Sequence, residues 1–194
     1  YEKIKGSADK LYNYWVDVCK ETIGKGGFRD FKDNLKNIIK DFDNLEINEH
    51  VEKPKVGVVG EILVKYHPTA NNDIVSLLES EGVEAVVPEL LDFFSYSAYN
   101  TVIKHKEMIK SNLKGSILSS TAIKLLDYYR KEAVEAFGNS KRFLPPHNIK
   151  DLANKAKNHL SLGNQTGEGW FLTAEIVALL EEGVNTILCL QPFA

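Results

Sequence analysis

The chain has 194 residues, 43% apolar and 26% charged, with a formal net charge of -3 at pH 7. That ordinary globular mixture argues against extended disorder and offers no basic field to draw nucleic acid or anionic lipid. No apolar run approaches the roughly 20 residues that span a bilayer, and no charged segment followed by an apolar one marks secretion. The expectation is therefore a cytoplasmic protein with Cys19 and Cys189 as reduced thiols. The chain starts at Tyr1, its only methionine is Met108, and it stops at Pro192-Phe193-Ala194 directly after an apolar run. A parallel strand needs both faces covered, so a fragment of a larger protein is expected.

In chain order, Leu11, Tyr14, Trp15 and Val18 recur at three- and four-residue steps and predict a helix from Ser7 to Ile23. Gly24-Lys25-Gly26-Gly27 should break it. A second helix is expected from Phe28 to Phe42, with Phe28, Phe31, Leu35, Ile38, Ile39 and Phe42 on its stripe. Residues 1–50 read as a helical hairpin, and Asn48 to Pro54 as a linker.

Composition changes at Lys55. Val56-Gly57-Val58-Val59-Gly60 reads as a buried parallel strand. A loop through His67-Pro68 should follow, then a helix carrying Ile74, Val75, Leu77 and Leu78 that Asn71 or Asn72 can cap. Gly82 should end that helix, and Val83 to Val87 should form a second strand closed by Pro88. Strand, helix and strand within about 35 residues make a βαβ unit.

Helices are then expected over Leu90–Lys110 and Ser120–Phe137, the second begun by Ser119-Ser120-Thr121 and followed by Gly138. Pro145-Pro146 is a stop, and Asn148 can cap a short helix through His159. Phe171 to Glu182 reads as a helix, Gly183 as its end, and Thr186 to Leu190 as a third strand. The stretch Asp73 to Val83 echoes Glu175 to Val184: in each, a helix ends in glycine and an apolar run follows. Residues 54–194 thus read as an α/β domain, truncated at its C-terminal end. It is expected to be an incomplete Rossmann- or flavodoxin-like parallel sheet with helices on both faces, preceded by the hairpin.

In open α/β sheets, ligands sit beyond the carboxyl ends of the strands. That nominates Glu61, His67, Asn71 and Asn72 after the first strand, although Gly57 and Gly60 form neither a GxGxxG fingerprint nor a phosphate loop. A capped turn explains the same residues without a ligand. The second constellation is Gln165, Gly167, Glu168, Gly169 and Trp170. Its glycines would expose backbone N–H groups at a helix start, while Glu168 already occupies the positive end of the helix dipole. Glu168 could accept a hydrogen bond from a ligand amide or hydroxyl, or Thr166 could simply cap the helix.

Cys189 reads as a small buried hydrophobe in its strand and Cys19 as core. The five histidines lack the spacing of a helical zinc site, and no Ser-His-Asp triad can be assembled. The aromatics at Phe93, Phe94, Tyr96, Tyr128 and Tyr129 read as core, with an acyl pocket as the other possibility. Catalytic residues are not assigned, and no metal ligands are nominated.

The stretch Lys53 to Asn72 resembles a signature of the large acyl-CoA dehydratase activase-related proteins, the CoA-substrate-specific enzyme activases with BadF/BadG-type ATPase modules. Gln165 to Glu175 and Cys189 to Ala194 are similar to two later signatures of that family, and Tyr1-Glu2 resembles the end of another. The resemblance implies the region related to 2-hydroxyglutaryl-CoA dehydratase subunits, downstream of the ATPase modules. It further implies a [4Fe–4S] cluster and ATP-driven electron transfer to a CoA-thioester dehydratase in the full-length protein. In the family a cysteine follows the third signature, which this chain lacks, and the ATPase phosphate motifs are absent as well. No cofactor is expected in this fragment, which is expected to be inactive alone. Its expected partners are the rest of its own chain and a CoA-thioester dehydratase, with no nucleic acid and no membrane. A non-catalytic docking module is the alternative.

Overall fold

The structure, a computed structural model, describes residues 1–107 and 112–192. Met108, the last residues of the helix expected to reach Lys110, and Phe193-Ala194 of the third signature lie outside the described residues. The elements are α1 (Ser7–Lys25), α2 (Phe28–Asn44), β1 (Lys55–Gly60), α3 (Ile62–Tyr66), α4 (Pro68–Asn71), α5 (Ile74–Ser80), β2 (Glu84–Val86), α6 (Leu90–Lys106), α7 (Leu113–Phe137), α8 (Ile149–Lys157), α9 (Gly169–Glu181) and β3 (Thr186–Leu190). Among the described residues no helix is long and apolar enough to cross a membrane.

The chain divides into two compact units, Tyr1–Glu52 with Asp127–Pro146, and Lys53–Leu126 with His147–Ala194. The first unit therefore takes in a later segment that sequence reading leaves with the α/β part. In it, Glu2 accepts hydrogen bonds from the Gly6 and Ala8 N–H groups and from the Ser7 hydroxyl, satisfying the open start of α1. These bonds hold its carboxyl below the usual range. Trp15 Nε1 donates to Asp41 at 3.1 Å and Asn34 to Thr22 at 2.8 Å, so α1 and α2 run antiparallel as the hairpin requires. Helix α1 continues to Lys25 because Lys25 pairs with Glu21 one turn back and Gly26 N–H bonds the Thr22 carbonyl. The later segment is tied to α2 by polar contacts: Ser140 donates to Asp43, and Arg142 Nη1 to the Phe42 and Leu45 carbonyls, all at 2.8 Å. Tyr128 stacks on Phe28, with ring centroids 5.5 Å apart. Tyr128 and Tyr129 are nonetheless exposed, not core. Cys19 is half-buried.

The second unit is mixed α/β around a three-stranded parallel sheet of order β2-β1-β3. β1 is central, pairing Val56 with Ala85 on one side and Val56 through Gly60 with Thr186 through Leu190 on the other. Val58 and Val59 are fully buried, as a strand flanked on both edges should be. β3 lies at one end of this order, and Cys189 on it is exposed, which corrects its reading as a buried hydrophobe. β2 is shorter than expected because the Val83 N–H is already bonded to the Leu78 carbonyl in the preceding turn.

Residues 61–72, expected as a loop, form two short helices. Glu61 caps the first by accepting the Val64 N–H at 3.0 Å, and Pro68 starts the second. Helix α7 begins at Leu113 and not near Ser119, because the Asn112 side chain accepts the Gly115 N–H at 2.9 Å. Asn148 caps α8 as expected, accepting the Lys150 N–H at 2.8 Å.

Helix α9 organises the unit. Trp170, Phe171, Ala174 and Ala178 face a core shared with Tyr96, Val102 and Ile103 of α6 and Ile149, Leu152 and Ala156 of α8. Its opposite face sets Leu172, Ile176 and Leu179 against Val59, Val184 and Ile187 of the sheet side. A helix buried on both faces must be largely apolar all round, and α9 is, apart from Thr173, Glu175 near its middle and Glu181 at its end. The internal echo is geometric too. Gly82 and Gly183 both have φ 84°, and Val83 and Val184 each reach back to a leucine carbonyl, Leu78 at 3.0 Å and Leu179 at 2.9 Å. Both helices thus end in the same left-handed glycine cap before a strand.

Gly60 ends β1 at φ 140°, and a Cβ there would collide with the Leu190 backbone of β3. Gly60→Ala is expected to lower stability by about 2–4 kcal/mol and to expose β3 amides, as urea denaturation and hydrogen exchange would show.

Candidate functional site

In the order β2-β1-β3 the chain leaves β1 towards β2 on one side and returns to pair as β3 on the other, a change of direction at which parallel sheets place ligands beyond the carboxyl ends of their strands. Gly60-Glu61 leaves the strand there, and Glu61 N–H bonds the Leu190 carbonyl of β3 at 3.0 Å. One turn into α3, Lys65 points into the unit. Its Nζ lies 2.7 Å from Glu175 Oε1, and both side chains are only 2% exposed. The ammonium also sits 4.9 Å from the Tyr66 ring centroid and 5.9 Å from that of Phe171, a favourable placement over aromatic faces.

Burial pushes the Glu175 carboxyl up to about 7, against the opposing pull of Lys65, and the charges of Asp92 and Glu168 add to the rise. Asp92, at the start of α6, is 4% exposed. The second Glu175 oxygen, Oε2, is buried without a partner among the described residues. Tyr66 donates to the Pro88 carbonyl after β2, and burial raises its phenol above the usual range. Lys65, Tyr66, Asn71, Val75, Val87 and Pro88 line a cleft of about 270 Å³ at this end of the sheet.

The loop before α9 completes the cluster. Gly167, Glu168 and Gly169 are consecutive left-handed residues, at φ 59°, 61° and 42°. The Trp170 N–H bonds the Asn164 carbonyl at 2.7 Å, and a Cβ at Gly169 would strike that carbonyl, so close approach demands glycine. Glu168 has no such freedom and holds a strained conformation. Burial raises its carboxyl, a hydrogen bond from the Ile62 N–H opposes the rise, Glu61 adds to it, and Lys65 again opposes it. Glu168 Oε2 is buried without a partner, as is Gln165 Oε1.

The nominated residues separate on the structure. Glu61 and Glu168 meet around Ile62 at the end of β1. Gln165 fixes the α9 loop, accepting the Tyr96 hydroxyl on its carbonyl at 2.8 Å and donating to the Leu162 carbonyl at 3.1 Å. Trp170 is fully buried and donates to Asn100 at 2.9 Å, so it supports the loop from beneath. Asn71 closes the α3–α4 turn, donating to the Val64 and Lys65 carbonyls and accepting from Ile74 N–H. His67 and Asn72 are exposed. Sequence reading misses Lys65, Asp92 and Glu175. One signal was available: Glu175 is the only charge between Trp170 and Leu180.

Comparison with protein-family models, with curated proteins and with solved structures gives no match.

Removing one member of a buried ion pair strands the other. Lys65→Met is expected to cost about 3–5 kcal/mol, whereas Lys65→Met with Glu175→Leu should lie near the parent. A double-mutant cycle by chemical denaturation measures this.

The native state holds a proton on Glu175 that the unfolded chain, with its ordinary value of 4.5, has already released. Stability should therefore fall as pH rises from 4.5 to about 7. Denaturation midpoints across that window should show the fall, and Glu175→Gln should flatten it.

Proposed function

We propose that the second unit is an incomplete Rossmann- or flavodoxin-like ligand-binding domain. In this reading it is the part of a cytoplasmic 2-hydroxyacyl-CoA dehydratase/activase-like protein that supports a CoA-thioester or iron–sulfur site used in ATP-driven reductive activation. The observation that carries it is the cluster of Glu61, Lys65, Glu168 and Glu175 beyond the carboxyl end of the central strand, where a 2-1-3 parallel order places ligands. The likeness of Lys53–Asn72 and Gln165–Glu175 to activase-related signatures supports the wider role, since those segments build this site.

The chain's own residues do not fit a [4Fe–4S] cluster, because Cys19 and Cys189 cannot supply four thiolates. Among the described residues no His, Cys, Asp or Glu group is arranged to hold a metal ion. The Glu168 carboxylate at the start of α9 equally opposes a phosphate there. What this unit contributes is a rigid, charged floor for a thioester ligand. Electron transfer and ATP hydrolysis belong to other parts of the whole protein and to a partner dehydratase.

Exposed apolar side chains favour a second reading as a docking module for the ATPase part or a partner subunit. Tyr12, Tyr14 and Ile23 on α1, and Leu113, Ile117 and Leu118 on α7, are each 57% exposed or more.

Titrating a 2-hydroxyacyl-CoA thioester into the labelled protein should shift the backbone resonances of Ile62, Glu168 and Gly169, and Glu168→Gln should weaken that response. No response at millimolar thioester would remove the ligand-binding reading. Complex formation with an ATPase module under those conditions would put docking in its place.

A further inference from the structure

We propose that the carboxyl end of β1 recognises its ligand through an N–H donor, an amide or ammonium group accepted by Glu168 and Glu175, and discriminates against phosphate and carboxylate. The inference rests on the ligand-binding reading of this site and names the chemistry that enters it.

The local balance of donors and acceptors carries the argument. Several side-chain donors at this end of the sheet already have partners. Lys65 Nζ donates to Glu175 Oε1, and the Tyr66 hydroxyl to the Pro88 carbonyl. The Tyr96 hydroxyl and the Gln165 amide also have their carbonyl partners. The buried side-chain atoms here without a partner among the described residues are acceptors: Glu175 Oε2, Glu168 Oε2 and Gln165 Oε1. Glu175 is 3% exposed, so its free oxygen is shielded from bulk water. Buried polar groups in folded proteins are nearly always satisfied, and an acceptor is satisfied only by a donor.

Charge points the same way. The groups facing Glu175 and Glu168 are Lys65 and Glu61 at α3 and Asp92 at α6, with the Tyr66 phenol close by. One ammonium stands among four carboxyls, so another anion would raise the repulsion, whereas a donor group relieves it. Burial is the main cause of the raised Glu168 and Glu175 carboxyls, and the neighbouring carboxylates add to it. The neighbouring cleft at Lys65 and Tyr66 offers apolar contact from Pro68, Val75, Val87 and Pro88, and Asp73 adds a further carboxyl to its lining.

Three four-carbon probes of differing charge, butyramide, butylammonium and butyrate, together with inorganic phosphate, test this, each followed by the Ile62 and Gly169 amides and the Trp170 indole N–H. Butyramide and butylammonium should shift these resonances saturably. Glu168→Gln, at a half-exposed position, should weaken both by about fivefold or more, the loss of one hydrogen bond to a charged acceptor. Lowering the pH from 8 to 5.5 should weaken butylammonium more than butyramide, because the cation loses its charge partner as well as the charge assistance of the hydrogen bond. A preferred response to butyrate or phosphate would overturn the donor inference while leaving a ligand site in place. If the thioester still shifts these resonances and all four probes fail, the acceptors hold water only and the inference is wrong. If the thioester fails as well, the site reading falls with it.

Discussion

An ammonium and a carboxylate taken out of water together each lose several kcal/mol of hydration, and their attraction returns that cost only when geometry is good and remaining lone pairs are filled. Lys65 and Glu175 meet the first condition at 2.7 Å and leave the second unmet at Glu175 Oε2. Apolar side chains of similar size would serve stability as well or better. The pair does something packing alone cannot: it fixes α3 against the one helix that touches both the sheet and the helical core. Lys65 has to arrive at a defined depth and angle, so the turn through Gly60 and Glu61 and the cap that starts α3 are constrained with it.

Helix α9 explains why so small a sheet holds its shape. With three strands, the sheet's own ladders are few, and most of the burial comes from a helix that is apolar on both sides. Leu172, Ile176 and Leu179 serve the sheet face, and Trp170, Phe171 and Ala174 serve α6 and α8. Gly57 in β1 follows from this, since a Cβ there would press into Leu179 and Ile187. The common glycine cap of α5 and α9 then delivers both β2 and β3 to β1 by one local rule.

The strands and the long helices were legible because their signals are local. The valine run at Val56–Val59, the leucines of α9, and the glycines at 82 and 183 each state their role within a few residues. What could not be read depends on partners far along the chain. Residues 61–72 look like a loop until Glu61 and Pro68 are seen to start two helices. Lys65 looks like an ordinary surface lysine because Glu175 lies 110 residues away. Cys189 sits in an apolar run, but its exposure follows from the position of β3 in the strand order, which no local pattern encodes. Glu61 and Glu168 are nominated by the general rule for parallel strands and stand beyond the end of β1, whereas the buried charges near them, Lys65, Asp92 and Glu175, are not nominated.

Glu168 shows how the site and the fold constrain each other. A non-glycine residue in the left-handed region between two glycines, themselves left-handed, is a costly choice for a simple helix start. Asparagine or glycine would hold that turn with less strain. Glutamate is long enough to bring its carboxyl near the Ile62 N–H at the end of β1, and its Oε2 is buried without a partner among the described residues. A residue chosen only to cap would complete its bonds locally, as Asn148 does at α8. Glu168 instead accepts strain, burial and nearby negative charge together, a combination that fits the proposed role of its free oxygen as a hydrogen-bond acceptor.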